Sequence, residues 1–153
     1  MEKSEYTIAA FNKLYKELDD IYHDLARNIG VSDSAFCIFY LIRELGDGCL
    51  QRDICRESYI SKQTINSSIR KLERDGYLYL SQGKGHDKHI HLTPIGQKFV
   101  RENILPVYEM EREAFQFLDE AERKMLLRLL KKYIVRLQIL EKEQFSHQKE
   151  GTL

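Results

Sequence analysis

Gln63, Asn66, Ser67, Arg70 and Arg74 follow one another at spacings of three, one, three and four residues. At about 100° per residue a helix gathers all five on one side, while Ile65, Ile69 and Leu72 take the other at i, i+4 and i+7. The polar side is cationic and has no carboxylate at its centre. Asparagine and glutamine amides pair with adenine edges, and arginine with guanine or phosphate, so the chemistry on offer is hydrogen bonding in a major groove. Ser61 supplies an N-cap hydroxyl and Gly76 a C-terminal stop, which bounds the helix at both ends. Alone, the pattern also describes an ordinary amphipathic surface helix. Its neighbours decide between the two.

Upstream, Leu50 to Glu57 reads as a short helix with Leu50 and Ile54 inward and Arg52, Asp53 and Arg56 outward, Arg52 being a candidate DNA contact. Ser58-Tyr59-Ile60 then turns tightly into the polar-faced helix, which is the helix-turn-helix order. Downstream, Tyr77-Leu78-Tyr79-Leu80 is strand-forming, Ser81 to Lys88 is a charged turn, and His89-Ile90-His91-Leu92 alternates as a returning strand. A β-hairpin directly behind the second helix is a wing, with Lys84, His86 and Lys88 about its tip. Charge agrees with this placement. The 153 residues sum to zero formal charge, yet from Ser61 to Arg101 eight Lys and Arg face three acids, leaving +5. A basic middle between acidic arms fits a local polyanion site, and the neutral total requires binding to depend on shape.

Long helices flank this module. From Tyr6 to Ile29 the residues Ile8, Phe11, Tyr15, Leu18, Tyr22, Leu25 and Ile29 form a heptad seam, widened by Leu14 and Ile21, and Gly30 ends it. Ser32 caps a second helix whose Ala35 to Ile42 run is apolar all round and therefore central; Gly46-Asp47-Gly48 breaks it. Thr93-Pro94 opens a helix toward Asn103, which Pro106 kinks or restarts and which continues through Leu118. Asp119 caps a last helix to about Phe145, with Leu126, Leu130, Tyr133, Leu137 and Leu140 at heptad spacing. The tail from Ser146 to Leu153 is polar and expected to fray.

Each seam could pack on its own domain or against another subunit. A winged helix of this size cannot readily bury both, so a two-fold dimer with interleaved terminal helices is the economical solution. Its interface would use Ile8, Phe11, Tyr15, Leu18, Leu130, Tyr133, Leu137 and Leu140. Paired heads would face a pseudo-palindrome with half-sites about 10–10.5 bp apart. The expected fold is mainly α with a small β-hairpin wing: one domain over 1–153, with dimerisation helices at about 1–30 and 104–145 around a DNA-binding lobe at about 32–100.

These features together resemble the MarR family (multiple antibiotic resistance regulators) over nearly the whole chain. The markers are Ser61-Lys62-Gln63-Thr64-Ile65-Asn66, the run Ile69 to Leu72 leading into Asp75-Gly76-Tyr77-Leu78, and the wing exit Ile90-His91-Leu92-Thr93-Pro94-Ile95-Gly96. The resemblance implies a homodimeric transcription factor, usually a repressor, released from its operator by a small phenolic or lipophilic ligand bound between dimer region and DNA-binding lobe. It assigns Ser61, Lys62, Gln63, Thr64, Asn66, Ser67 and Arg70 to the recognition helix, and Lys84, His86 and Lys88 to the wing. Many relatives carry an Asp-x-Arg pair in the wing, whereas this wing is short and has no Arg. Lysine reads groove narrowing less well than arginine, so wing-derived specificity is weakened while phosphate attraction stays. Tyr15, Tyr22, Phe36, Phe39 and Tyr40 are the candidate ligand-pocket residues, with plain core as the alternative.

Other chemistries find less support. His86, Asp87, His89 and His91 are metal-ligating types close together, but no third ligand with fixed support accompanies them, and they read as wing residues near phosphate. Cys37, Cys49 and Cys55 are odd in number without CxxC spacing, which fits a reducing cytoplasm. Cys37 and Cys55 read as core thiols and Cys49 as the most exposed. No catalytic motif and no cofactor site is recognisable. No apolar run reaches membrane-spanning length and Met1 to Glu5 opens no signal region, so a cytoplasmic protein is expected. The alternatives are a winged-helix protein-interaction module, or a cysteine- or metal-sensing member of the same family.

Overall fold

The computed structural model describes residues 6–146, which form α1 (Ile8–Asn28), α2 (Asp33–Leu45), α3 (Gln51–Glu57), α4 (Lys62–Arg74), β1 (Leu78–Gln82), β2 (Lys88–Leu92), α5 (Pro94–Phe99), a π-helical turn (Val100–Ile104), α6 (Leu105–Phe117) and α7 (Glu120–Ser146). They divide between Glu109 and Met110 into two compact units. Of the tail expected to fray, residues 147–153 lie outside those described. No single helix among the described residues is long and apolar enough to cross a membrane.

Short polar side chains start the helices by capturing amides that a first turn leaves unpaired. Ser32 Oγ accepts from the Ala35 amide at 3.2 Å, Ser61 Oγ from Thr64 at 3.2 Å, and Thr93 Oγ1 from Gly96 at 3.1 Å with Pro94 beside it. Asp119 Oδ1 accepts from the Glu122 amide at 2.9 Å while Glu122 Oε2 accepts from the Asp119 amide at 2.8 Å, a reciprocal capping box. Thr7 caps α1, so that helix starts at Ile8 rather than at Tyr6.

The first unit is built around α2. Ile38, Phe39 and Ile42 are sealed from solvent together with Ile54 of α3, Ile65 and Ile69 of α4, Leu78 and Ile90 of the hairpin, and Ile104. Each such side chain contributes about 1.5–3 kcal/mol on burial. Phe39 packs on Phe99 at 4.7 Å and edge-on to Tyr77 at 5.7 Å between ring centroids. The wing is closed more tightly than the sequence implies. Gln82 pairs with Lys88, the Gly83 amide bonds Asp87 O at 2.8 Å, and only residues 83–87 form the tip. A further edge comes from the α2–α3 connection, where Leu50 bridges His89 and the Ile90 amide bonds Cys49 O at 2.9 Å.

Pro106 neither breaks nor restarts the helix at its own position. The π turn just before it absorbs the mismatch: the Leu105 amide reaches back five residues to Val100 O, widening the backbone where proline offers no N–H. In the second unit, no described residue of α7 is buried. Leu126, Leu130, Tyr133, Leu137 and Leu140 stay 40–53% exposed, so their apolar seam is unburied in a single copy. In the first unit Ile8, Phe11, Tyr15 and Leu18 of α1 are exposed likewise.

Candidate nucleic-acid interface

Helix α4 presents its two faces as the spacing requires. Ile65 and Ile69 are fully buried and Leu72 nearly so, which fixes the rotation of the helix. Lys62, Gln63, Thr64, Ser67, Arg70 and Arg74 are consequently exposed. Ser61 is committed to the helix start, with its hydroxyl also 2.9 Å from Thr64 Oγ1. At the far end Asp75 closes the helix and Gly76, at φ +80°, redirects the chain into β1.

A groove of about 310 Å³ runs between α3, α4 and the wing. Arg52, Lys62 and Arg70 line it from the helices and Lys88 from the hairpin, so cations from three elements converge on one concavity, with His86, Glu73 and Asp87 also on its wall. Lys84 is exposed at the tip. This arrangement suits a phosphate backbone, because several exposed amines and guanidinia can each displace condensed counterions.

Two residues expected here are already engaged within the molecule. Asn66 is half-buried, and its Oδ1 accepts from Gln51 Nε2 at 2.8 Å and from the Cys55 thiol at 3.6 Å. Its amide nitrogen remains as the donor it can offer outward, which narrows the bidentate adenine pairing expected from residue type. Arg52 pairs with Asp87 across the groove, Nη1 to Oδ2 3.0 Å. Neither partnership has a signature in sequence spacing.

The wing histidines have structural partners. His89 Nδ1 lies 2.7 Å from Gly48 O, so that nitrogen carries the proton; His91 Nε2 lies 2.8 Å from Ser81 Oγ, and its ring stacks on Tyr79. No group of three or more His, Cys, Asp or Glu among the described residues is arranged to hold a metal. Cys49 and Cys55 are both half-buried, and Cys37 is buried. The Cys49 carbonyl accepts from the Ile90 amide of β2 at 2.9 Å, while its own amide donates to Gly46 O at 3.2 Å.

A second concavity of about 490 Å³ lies at the start of α2, walled by Tyr22, Phe36 and Tyr59 together with Asp19, Asp33 and Thr64. Tyr22 and Phe36 were among the expected pocket residues; the other three lie elsewhere. Tyr15 is 68% exposed on α1. Phe39, about 60° around α2 from Phe36, is turned into the Phe99–Tyr77 aromatic cluster. Tyr40 packs between Phe36 and Tyr108 at 6.1 and 6.2 Å. Tyr59, which no sequence pattern marks as a pocket residue, reaches the cavity from the turn before α4. His23 and Asp33 pair at its edge, Nδ1 to Oδ2 3.0 Å.

Comparison with known proteins supplies the family context. Residues 29–88 match the model of the MarR family. The fold is similar to that of Staphylococcus aureus MepR in complex with DNA, at 24% identity and TM-score 0.66 over 87% of this chain and 99% of that one. It is similar to Bordetella bronchiseptica BpsR, described for the regulation of its DNA binding by 6-hydroxynicotinic acid, at 21% identity and TM-score 0.62 over 87% and 97%. NMB1585, a MarR family regulator from Neisseria meningitidis, matches at 14% identity and TM-score 0.77 over 90% and 97%. Among curated proteins, none matches the chain significantly.

Proposed function

We propose that this chain, whose residues 29–88 match the MarR family model, is a MarR-family transcriptional repressor that binds a pseudo-palindromic operator as a homodimer and lets go when a small molecule binds. The observation that carries the reading is α4, whose exposed Gln63, Ser67 and Arg70 form a donor-rich face beside the cationic wing. Base edges select among such side chains, while Lys62, Lys84 and Lys88 meet phosphate without regard to sequence.

Dimerisation draws support from α7, none of whose described residues is buried. Ligand response draws support from the cavity at α2, because Tyr59 and Thr64 on its wall belong to the turn and first residues of α4. A molecule seated there bears on the recognition helix directly. Asp19 and Asp33 on the same wall favour a neutral or cationic aromatic ligand over an aromatic acid, whose carboxylate they would repel.

Selection of bound duplexes from a random-sequence DNA pool tests the reading. The expected result is an inverted repeat with half-site centres about one helical turn apart. Retention of no sequence above background overturns it.

A further inference from the structure

Arg52 lines the cationic groove, yet its charge is already answered. Nη1 stands 3.0 Å from Asp87 Oδ2 and 3.2 Å from Oδ1, joining the first turn of α3 to the tip of the wing. Asp87 is the less exposed partner, its side chain 25% accessible against 65% for Arg52. A carboxylate on a face meant for phosphate weakens binding unless it does something else there. What Asp87 holds is the loop itself: its amide bonds Lys84 O at 3.1 Å and its carbonyl takes the Gly83 amide at 2.8 Å.

Strand β2 of the same hairpin is tied to the residues just before α3 from its root, where the Leu92 amide donates to Asp47 Oδ1 at 2.7 Å. The ties run up to the Leu50–His89 bridge and His89 Nδ1 on Gly48 O, two residues short of Asp87. The wing is therefore held along β2 as far as His89 and, beyond it, by an ion pair from α3 to the tip. The ties along β2 hold the strands, and the ion pair holds the tip, residues 83–87, relative to α4, which packs on α3 through Gln51 and Asn66.

The geometry points to Arg52 as a positioning residue that sets the wing against the recognition helix through Asp87, rather than as a phosphate ligand. This rests on the DNA-binding reading above. The pair sets the spacing between wing lysines and the α4 face, so it contributes to specific binding and adds no net charge to the groove.

The test compares Arg52→Gln, Asp87→Asn, the double variant and the exchanged pair Arg52→Asp with Asp87→Arg in the full chain. Binding is measured against the tightest duplex recovered from a random pool and an unselected duplex of equal length, across a salt series. Each single variant is expected to lose about fivefold in affinity for the selected duplex, the upper end for a partly exposed ion pair. The double variant should be no worse than either, the exchange should restore binding, and the salt slope should stay unchanged. A phosphate-bound Arg52 gives a different result and overturns the inference: Arg52→Gln lowers the slope by about one and Asp87→Asn tightens binding to both duplexes. Amide hydrogen exchange without DNA keeps the two readings separable. Faster exchange at Gly83 and Asp87 in both single variants supports the clasp even if the protein retains no DNA, and unchanged exchange overturns it.

Discussion

Gly96 lies so close under the Tyr77 carbonyl that a Cβ placed on it would come 1.9 Å from that oxygen. The contact joins the start of α5 to the strand leaving α4, and Thr93 tightens it, donating its amide to Tyr77 O at 3.0 Å and its hydroxyl to Gly76 O at 2.6 Å. In a helix interior, glycine to alanine gains about 1 kcal/mol of propensity. Here the obstacle is backbone and cannot rotate away, so Gly96→Ala is expected to destabilise toward the upper end of the about 1–3 kcal/mol typical of overpacking. Urea unfolding measures the difference, and a neutral or stabilising result would contradict the close approach.

Arg70 and Lys84 separate base reading from phosphate attraction. Arg70 extends from the middle of α4 into the groove, where a guanidinium can meet a base edge. Arg70→Ala is expected to cost about 1–3 kcal/mol at the selected site and to relax one base position. Lys84→Ala should weaken every duplex alike and lower the salt slope by about one. Titrations at several salt concentrations with matched and mismatched duplexes distinguish them.

Gln51 should act on specificity through Asn66. Its Nε2 holds Asn66 Oδ1 at 2.8 Å, so the Asn66 amide group presents its N–H side outward. Gln51→Ala frees that amide to turn over, offering donor or acceptor to the same base. Discrimination at one base pair should fall while affinity for unselected DNA and the salt slope remain, because no charge has changed. Binding to a panel of single-mismatch duplexes reads this out.

The legible parts of the fold are those whose physics is local. Ser32, Ser61, Thr93 and Asp119 announce helix starts because a side-chain oxygen meets an amide three residues on, well inside the reach of a sequence pattern. Ile65, Ile69 and Leu72 gave the orientation of α4, and with it most of the exposed face, because burial follows the helical period. Contacts between distant segments left no such trace. The Leu50–His89 bridge is a single pair with no alternation to betray it, and Gln51–Asn66 and Arg52–Asp87 join residues whose types suit solvent equally well. Tyr59 lines a cavity together with residues of α1 and α2 only because the chain folds back there.

The homodimer proposed above makes α7 the element to break. Leu130 and Leu137, 42% and 53% exposed, are separated by one heptad and share a face. Placing aspartate at both puts two charges into the seam, each costly to desolvate beside apolar partners. Sedimentation equilibrium should show twice the 18.1 kDa chain mass for the unmodified protein and the chain mass for the double variant. Affinity for the palindrome should fall together with the dimer. A chain that sediments as a monomer before any substitution would rule out the dimer.

Cys49 bears on whether a thiol can control this protein. Burial pushes its pKa up from 9.0 to about 11, and the nearby Asp47 and Asp53 carboxylates push the same way. Only the thiolate reacts, so at neutral pH its alkylation should run about a hundredfold slower than that of an unperturbed thiol. The rate should climb about tenfold per pH unit until the group ionises. The linkage has a definite sign: the unfolded chain loses this proton first, so the contribution is fully present below pH 9 and is lost as pH rises toward 11. Iodoacetamide labelling followed by mass spectrometry, with DNA binding assayed on the same samples, tests the assignment. Rapid labelling of Cys49 at neutral pH accompanied by loss of DNA binding would replace an inert thiol with a sensor.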